Sequence, residues 1–272
     1  MNREDYLINK LSSNYIGDDG AVVGNTVYSM DAFFENVHFK RDWMSLTQIA
    51  RKAMLVNISD AVAMNAKPMY ALVTLSLPKD ITKQDIDEIV TSLHQTANEF
   101  ECEIIGGDTI AGERLDFSIT IISKSDNPLT RKGLKEGDLL VYTGVLGESK
   151  RDLNRLMSGE KVSDNSRFIE PKLRTKFIKQ TREYLSVGMD ISDGLYCDTN
   201  KLLDYNSIGF EPLIDISDEV GSSGEEYEML IGFCANRLDN IRQIAQNLDL
   251  ELTVFARVVD NGNRFGCLNH HK

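Results

Sequence analysis

Strand-like and helix-like segments alternate along this 272-residue chain, and the polar segment Lys124-Ser125-Asp126-Asn127-Pro128 interrupts the alternation once. Strands that alternate with amphipathic helices are typical of layered folds in which helices cover the faces of a sheet. A run of polar residues that ends in proline marks a break between such units. The pattern therefore predicts two α/β halves, residues 1–127 and residues 128–272.

Apolar side chains at alternate positions or in short runs predict the strands, and a spacing of three and four residues predicts the helices. Strands are expected at 26–34, 70–77, 102–105, 115–123, 138–143, 187–191, 209–214, 227–234 and 251–259. Helices are expected at 46–65 with Thr47 as a possible N-cap, at 82–100 capped by Asp80 or Thr82, and at 148–157, 169–185, 195–205 and 236–247.

Acidic residues outnumber basic residues by 42 to 30, which gives a formal net charge of −12. Nucleic acids and anionic membranes attract basic surfaces, so this charge argues against either as a general partner. No run reaches the roughly 20 apolar residues that span a bilayer. The four cysteines lack metal-clip spacing and are too few for a disulfide framework, so we expect reduced thiols in a cytoplasmic protein.

Five groups of acidic residues lie among glycines or apolar residues instead of on a solvated helix face. They are Gly17-Asp18-Asp19-Gly20, Asp31, Asp60, Gly106-Gly107-Asp108-Thr109 and the segment from Asp190 to Gly194. Each has a structural alternative, because Asp and Gly favour turns and Asp193 could cap the next helix. Oxygen-only ligands from both halves nevertheless suit Mg²⁺. The set therefore suggests several hard cations that clamp an oxyanion, most often a nucleoside triphosphate.

Asp60 is the most unusual of these acids. In the predicted helix it shares a face with Asn57, Ala61 and Met64, and no basic residue lies within one turn. A carboxylate in such a setting is protonated, paired with a distant cation or bound to a metal, because burial of an unpaired charge is unfavourable.

The common nucleotide and catalytic fingerprints do not occur in the sequence. It contains no Gly-x-x-x-x-Gly-Lys-Ser/Thr loop, no Gly-x-Gly-x-x-Gly, no His-Arg-Asp kinase loop and no Gly-x-Ser-x-Gly elbow. An ATP-dependent enzyme with this sequence would therefore have one of the less common architectures.

Taken in order, the acidic motifs resemble those of the thiamine-monophosphate kinase family. This family shares an ATP-binding superfamily with aminoimidazole ribonucleotide synthetase and selenophosphate synthetase. The resemblance runs from residue 16 to about residue 230. It rests on the segments 16–22, 29–31, 36–39, 57–68, 106–109, 129–133, 137–138, 143–149, 189–195 and 224–228.

The resemblance implies a two-domain fold with mixed or antiparallel sheets flanked by helices. It implies that ATP phosphorylates thiamine monophosphate to thiamine diphosphate with several Mg²⁺ ions. It also implies a homodimer in which the sheets of the first domains pack together.

The family's functional residues carry over onto matching positions of this sequence. The expected metal ligands are Asp18, Ser29, Asp31, Asp60, Asp108, Asp190 and Asp193. The expected ATP contacts are Gly107, Asp108, Arg131 and Ser192. The expected contacts to the thiamine substrate are His38, Glu225 and Phe265, and Phe265 could equally be a packing residue.

The sequence departs from the family pattern at three places. Met30 stands where the family usually has Thr, and Ser223-Gly224-Glu225-Glu226-Tyr227-Glu228 stands where the family usually has Gly-Gly-Glu-Asp-Tyr-Glu. The chain is also shorter than is typical of the family.

The acceptor in this reaction is a phosphate monoester, whose second pKa is about 6, so it is mostly a dianion near neutral pH. We therefore expect direct in-line transfer without a covalent nucleophile or a general base, and no phosphoenzyme.

Two alternatives stay open at this point. Another enzyme of the superfamily is one, although a selenophosphate synthetase would need a reactive Cys near the N-terminus, and the first Cys here is Cys102. A non-catalytic nucleotide-binding or divalent-cation-binding protein is the other.

Overall fold

The computed structural model describes residues 3–267, and these contain eight α-helices and ten β-strands. The helices are α1 (Arg3–Leu11), α2 (Leu46–Ala63), α3 (Lys83–Glu99), α4 (Glu148–Met157), α5 (Thr175–Thr181), α6 (Leu195–Asn206), α7 (Asp218–Gly221) and α8 (Leu238–Asn247). The strands are β1 (Ala21–Val23), β2 (Thr26–Phe34), β3 (Lys67–Leu77), β4 (Glu103–Ala111), β5 (Asp116–Lys124), β6 (Asp138–Thr143), β7 (Val187–Asp190), β8 (Gly209–Pro212), β9 (Met229–Cys234) and β10 (Leu252–Val259). No helix in this part of the chain has the length and apolar character needed to cross a bilayer.

The first five strands form a mixed sheet in the order β1-β2-β5-β3-β4. Neighbours are antiparallel except β3 and β4, which are parallel because α3 returns the chain to the same end of the sheet. Along β5, Phe117, Ile119 and Ile121 are buried, while the residues between them are only partly buried. One face of the sheet therefore packs against α2, and the outer face is left open.

The other five strands form an antiparallel sheet in the order β7-β9-β6-β10-β8. Strand β6 is buried along its whole length because helices cover both faces. Leu140 belongs to a core that includes α6, and its neighbour Val141 belongs to a core that includes α5 and α8. The two sheets match the predicted fold class of mixed and antiparallel sheets flanked by helices.

Helix α2 lies between the first sheet and the second half of the chain. Fourteen of its eighteen residues are buried, as expected for a helix that is not strongly amphipathic. It begins at a capping box in which the Ser45 side chain and Gln48 bond to each other's backbone N–H groups. Phe168 and Ile169, from the second half of the chain, belong to the same apolar core as α2 and the first sheet. The predicted domain boundary near residue 127 falls between the two sheets and stays a prediction.

Several predicted elements differ from the structure. Ser45, not Thr47, caps α2. The predicted helix 169–185 is wrong over its first turns, since only Thr175–Thr181 is α-helical, followed by a short 3₁₀ turn. Pro171 lacks a backbone N–H and disfavours helical geometry in the residue before it, so the helix begins beyond it.

Gly106-Gly107-Asp108-Thr109 was expected to turn after a strand that ends at residue 105, but these residues continue strand β4. Gly107 adopts φ +153°, and a Cβ atom there would lie 1.7 Å from the Val73 carbonyl oxygen of β3. Glycine is therefore required at this position by the close approach of the neighbouring strand.

The expectation of four reduced cysteines is wrong. Cys197 on α6 and Cys267 form a disulfide with a Cα–Cα distance of 5.2 Å, while Cys102 and Cys234 are free. Seventy residues separate the bonded pair, and spacing along a chain does not reveal such a partner. The bond ties the segment after β10 to α6.

Candidate functional site

Three carboxylates from distant parts of the chain converge at one end of α2. Asp19 lies in the loop before β1, Asp60 lies in the last turns of α2, and Asp190 ends strand β7. One oxygen atom of each lies within 4.8 Å of the others. Asp60 and Asp190 are buried, and the Asp19 side chain is 2% exposed. We call these three residues the carboxylate cluster.

Burial and mutual repulsion disfavour ionisation within the carboxylate cluster. Burial raises the pKa of Asp60 well above its usual value, and the charges of Asp31, Asp190 and Asp19 add to the effect. Burial likewise raises the pKa of Asp190, with a further contribution from Asp19. Three acids that repel one another in a buried site are stabilised most simply by a cation.

Asp31 and Ser29 both lie on the inward side of β2, and Asp31 is close enough to Asp19 for their charges to interact. The pKa of Asp31 is raised to about 6, mainly because surrounding protein removes water from its carboxylate and further because of the charges of Asp19 and Asp193. The residue as a whole nevertheless keeps exposed surface. The buried Ser29 hydroxyl has no hydrogen-bond partner within residues 3–267, and neither has Oδ2 of Asp19. Buried polar atoms normally have a partner, so these two oxygens fit the donor set of an absent hard cation.

Asp18 and Asp19 contact different parts of Arg131. Asp18 accepts a hydrogen bond from the backbone N–H of Arg131 at 2.6 Å. Asp19 forms an ion pair with the Arg131 guanidinium and also belongs to the cluster. The Asp-Asp pair marked this segment in the sequence, but Asp19 was not among the predicted metal ligands; the prediction of Asp18 as a ligand stays a prediction.

The loop after β7 holds Ser192 and Asp193 close to the cluster. The buried Asp198 side chain accepts hydrogen bonds from both backbone N–H groups, at 3.1 Å and 3.0 Å. Asp193 forms an ion pair with Lys201 at 2.5 Å. Sequence reasoning missed Asp198 and Lys201, because an acid and a lysine on a helix usually form a solvated pair.

Gly107 and Asp108 are not brought to the cluster within this chain. They lie on edge strand β4, and Asp108 pairs in register with Thr74 on the outer face of the sheet. Strands β5 and β3 separate β4 from β2, which corresponds to roughly 14 Å at the usual strand spacing.

A chain of contacts through the Phe33 ring and Lys52 connects His38 with Glu225. Nδ1 of His38 accepts a hydrogen bond from the Phe34 backbone at 2.9 Å, and its ring stacks on Phe33 at 5.7 Å. The Lys52 ammonium lies 5.7 Å from the Phe33 ring centre and 2.6 Å from Oε2 of Glu225. The structure therefore brings these two predicted substrate residues into one neighbourhood.

Glu225 belongs to the segment Ser223–Glu228, whose other acids are anchors. Glu226 and Glu228 are fully buried. Glu226 accepts the backbone N–H of Gly147 at 2.7 Å, near the start of α4. Glu228 pairs with Arg167 at 2.5 Å and with Arg174. Glu225 directly precedes the first of these anchors and Tyr227 lies between them. Burial and the charges of nearby Glu225 and Asp31 raise the pKa of Tyr227.

Phe265 lies in the second half's aromatic core. Its ring stacks on Tyr196 at 4.4 Å and contacts Phe210 at 4.5 Å. Asn200 bonds to both its backbone N–H and its carbonyl oxygen. These contacts account for Phe265 as a packing residue, and its predicted substrate role stays untested.

Comparisons with known proteins place this chain in a class. Residues 17–124 match the family model described as AIR synthase related protein, N-terminal domain. A thiamine-monophosphate kinase from Leptospira interrogans is 30% identical over 239 residues, which cover 79% of this chain and 76% of the relative. A thiamine-monophosphate kinase from Aquifex aeolicus is 28% identical over 236 residues, with 82% and 77% covered. The chain therefore belongs to the thiamine-monophosphate kinase family.

A solved structure agrees with this assignment. The structure of AaThiL complexed with AMPPCP and TMP superposes with a TM-score of 0.84 and 25% sequence identity. The match covers 96% of this chain and 91% of that chain.

Divalent cations are expected to stabilise this protein more as the pH rises. The folded-state pKa values of Asp60 and Asp190 are raised above 3.8, so without a cation the free energy of unfolding falls as pH rises through those values. A bound cation needs ionised carboxylates, so it should stabilise the folded protein most at pH values above those pKa values. Since the pKa of neighbouring Asp31 is raised to about 6, we expect the gain in Tm on adding Mg²⁺ to be larger near about pH 8 than near about pH 5. A gain that is equal at both pH values in differential scanning fluorimetry would contradict this expectation.

Proposed function

We propose that this protein transfers the γ-phosphoryl group of ATP to thiamine monophosphate and so produces thiamine diphosphate and ADP. The observation that carries the proposal is the convergence of Asp19, Asp60 and Asp190 beside Arg131. Membership of the thiamine-monophosphate kinase family supplies the choice of substrates.

Charge repulsion is the main obstacle to this reaction. A phosphate dianion must approach the triphosphate, and each pair of unit charges at about 4 Å costs roughly 4 kcal/mol at an effective dielectric of 20. Mg²⁺ bound at the cluster would offset this charge and polarise the phosphoryl oxygens. Asp19, Asp60 and Asp190 would hold it, with Ser29, Asp31 and Asp193 offering further oxygens nearby.

The other residues bind and orient. We propose that the Arg131 guanidinium, already paired with Asp19, binds a phosphate of ATP, since guanidinium can do so bidentately. Glu225 and His38 would face the ring end of thiamine monophosphate. Direct transfer needs neither a nucleophilic side chain nor a base, because the acceptor is already ionised.

The proposed function is tested by product formation. Purified protein is incubated with ATP and Mg²⁺, and with thiamine monophosphate, thiamine or no acceptor, and ADP and thiamine diphosphate are measured. We expect both products only with thiamine monophosphate. Nucleotide binding without ADP release would indicate a non-catalytic protein, and a trapped phosphoenzyme in single turnovers would contradict direct transfer.

We also propose that the protein is a homodimer, because its first sheet has an open apolar face. We propose a cytoplasmic location because ATP is the co-substrate. Rows of side chains cross this outer face in register, Tyr28 with Ile122 and Tyr70, and Met30 with Thr120 and Leu72. Met30 is 64% exposed and Leu72 is 38% exposed. Contiguous apolar patches of this kind are typical of interfaces.

Leu72→Asp is expected to convert the dimer to a monomer. The substitution would bury a carboxylate at the centre of the proposed interface and weaken association at least about tenfold. Light scattering after gel filtration measures the mass, and Val90→Asp, on the exposed side of α3, is the control. A wild-type protein that is monomeric at every concentration would contradict the proposed dimer.

A further inference from the structure

Lys52 is a lysine with no exposed surface in the middle of α2. Its ammonium lies 3.6 Å from the centre of the Phe168 ring and forms an ion pair with Oε2 of Glu225 at 2.6 Å. Lysine is almost never fully buried unless it is paired. The ion pair joins residues 173 positions apart and links α2 to the second half of the chain.

The partner of Lys52 lies on a backbone segment with unusual geometry. Glu225 and Tyr227 have φ angles of 53° and 52°, in the left-handed region that non-glycine residues seldom adopt. The backbone N–H of Glu225 donates to the Ser192 carbonyl at 2.8 Å, and that of Tyr227 donates to the Ile191 carbonyl at 2.9 Å. Main-chain hydrogen bonds hold the backbone of this segment, and Lys52 holds the Glu225 side chain. Such conformations persist only where surrounding contacts fix them.

We propose that Lys52 is a positioning residue that fixes the Glu225 carboxylate, and with it the segment Ser223–Glu228, for the ring end of the phosphate-ester substrate. Lys52 precedes Asp60 by eight residues on the same helix, which separates their backbones by roughly 12 Å. Helix α2 therefore fixes the distance between Lys52, which holds Glu225, and the carboxylate cluster. The choice of substrate rests on the proposed function.

The kinetic test compares Lys52→Met with Arg51→Met. Methionine fills the space between the aromatic rings without a charge. Arg51 also links α2 to the second half, through Glu170 at 2.7 Å, but does not contact Glu225. We expect Lys52→Met to raise the KM for thiamine monophosphate about tenfold and to change the KM for ATP by less than about twofold, as for loss of one charged hydrogen bond. Arg51→Met should leave both constants nearly unchanged. Equal rises in both KM values, or no rise, would overturn the proposal.

A double variant separates positioning from a general loss of stability. In Lys52→Met with Glu225→Gln, neither charge is left unpaired, so this protein can fold even where Lys52→Met alone does not. If Lys52 acts through Glu225, the double variant has the same KM for thiamine monophosphate as Glu225→Gln alone. A further rise beyond Glu225→Gln would show that Lys52 acts elsewhere.

A measurement that does not require enzymatic turnover can test this proposal separately from the proposed function. Hydrogen exchange is measured for backbone amides of segment 223–228 in wild type, Lys52→Met and Arg51→Met. We expect faster exchange in that segment only in Lys52→Met. Unchanged exchange would overturn the positioning role, whereas a wild-type protein inactive on thiamine monophosphate would refute the proposed function alone.

Discussion

Asp60→Asn is expected to lower kcat by a factor on the order of 10³ without unfolding the protein. The substitution removes one of three carboxylates that would hold the cation, while the amide keeps nearly the same shape. Because the folded state disfavours the charge of Asp60, its loss should leave Tm unchanged or raise it. Steady-state kinetics and thermal unfolding measure the two effects.

The matched control for this variant is Asp87→Asn. Asp87 is an exposed acid on α3, and its neighbour Glu88 contacts Thr47 at the start of α2, the opposite end from Asp60, so its replacement should alter neither kcat nor Tm. If Asp60→Asn instead melts far below wild type and keeps its activity, Asp60 is a structural acid and the proposed cation site is wrong.

Glu228→Gln should produce the largest loss of stability. Its fully buried carboxylate pairs with Arg167 and Arg174 and accepts the Thr143 hydroxyl at 2.6 Å. Removal of one partner from a buried ion pair typically costs about 3–5 kcal/mol, because the remaining charges stay buried without compensation. For a chain of this size the Tm should fall by roughly 6–20 °C.

Glu99→Gln provides the comparison for Glu228→Gln. Glu99 pairs with Arg51 at 2.7 Å, but its side chain is 50% exposed, so the loss should be below about 1 kcal/mol. Equal Tm values for the two variants would mean that the buried network around Glu228 does not anchor the segment that carries Glu225 and Tyr227.

Local patterns sufficed to predict much of the fold. Strand β2, strand β6 and helix α4 have the predicted bounds, because alternation and helical spacing depend only on residues that are close together in the sequence. The burial of Asp60 was likewise predictable, since its helical neighbours are apolar and include no basic residue.

The rest depends on contacts between residues far apart in the chain. Whether Asp18 or Asp19 faces the cluster is decided by the turn of an irregular loop and by Arg131, more than 110 residues away. The pairing of Lys52 with Glu225 has no local signal. The outward position of Asp108 follows from the register of β4 on β3, which residue types alone do not determine.

The central claim is that the carboxylate cluster binds divalent cations together with polyphosphate. A crystal structure with Mn²⁺, AMPPCP and thiamine monophosphate, with anomalous scattering to locate the metal, tests it most directly. We expect manganese bound to oxygens of Asp19, Asp60 and Asp190 and to phosphate oxygens of the nucleotide. Manganese and nucleotide bound elsewhere, with the three carboxylates contacting neither, would contradict the claim.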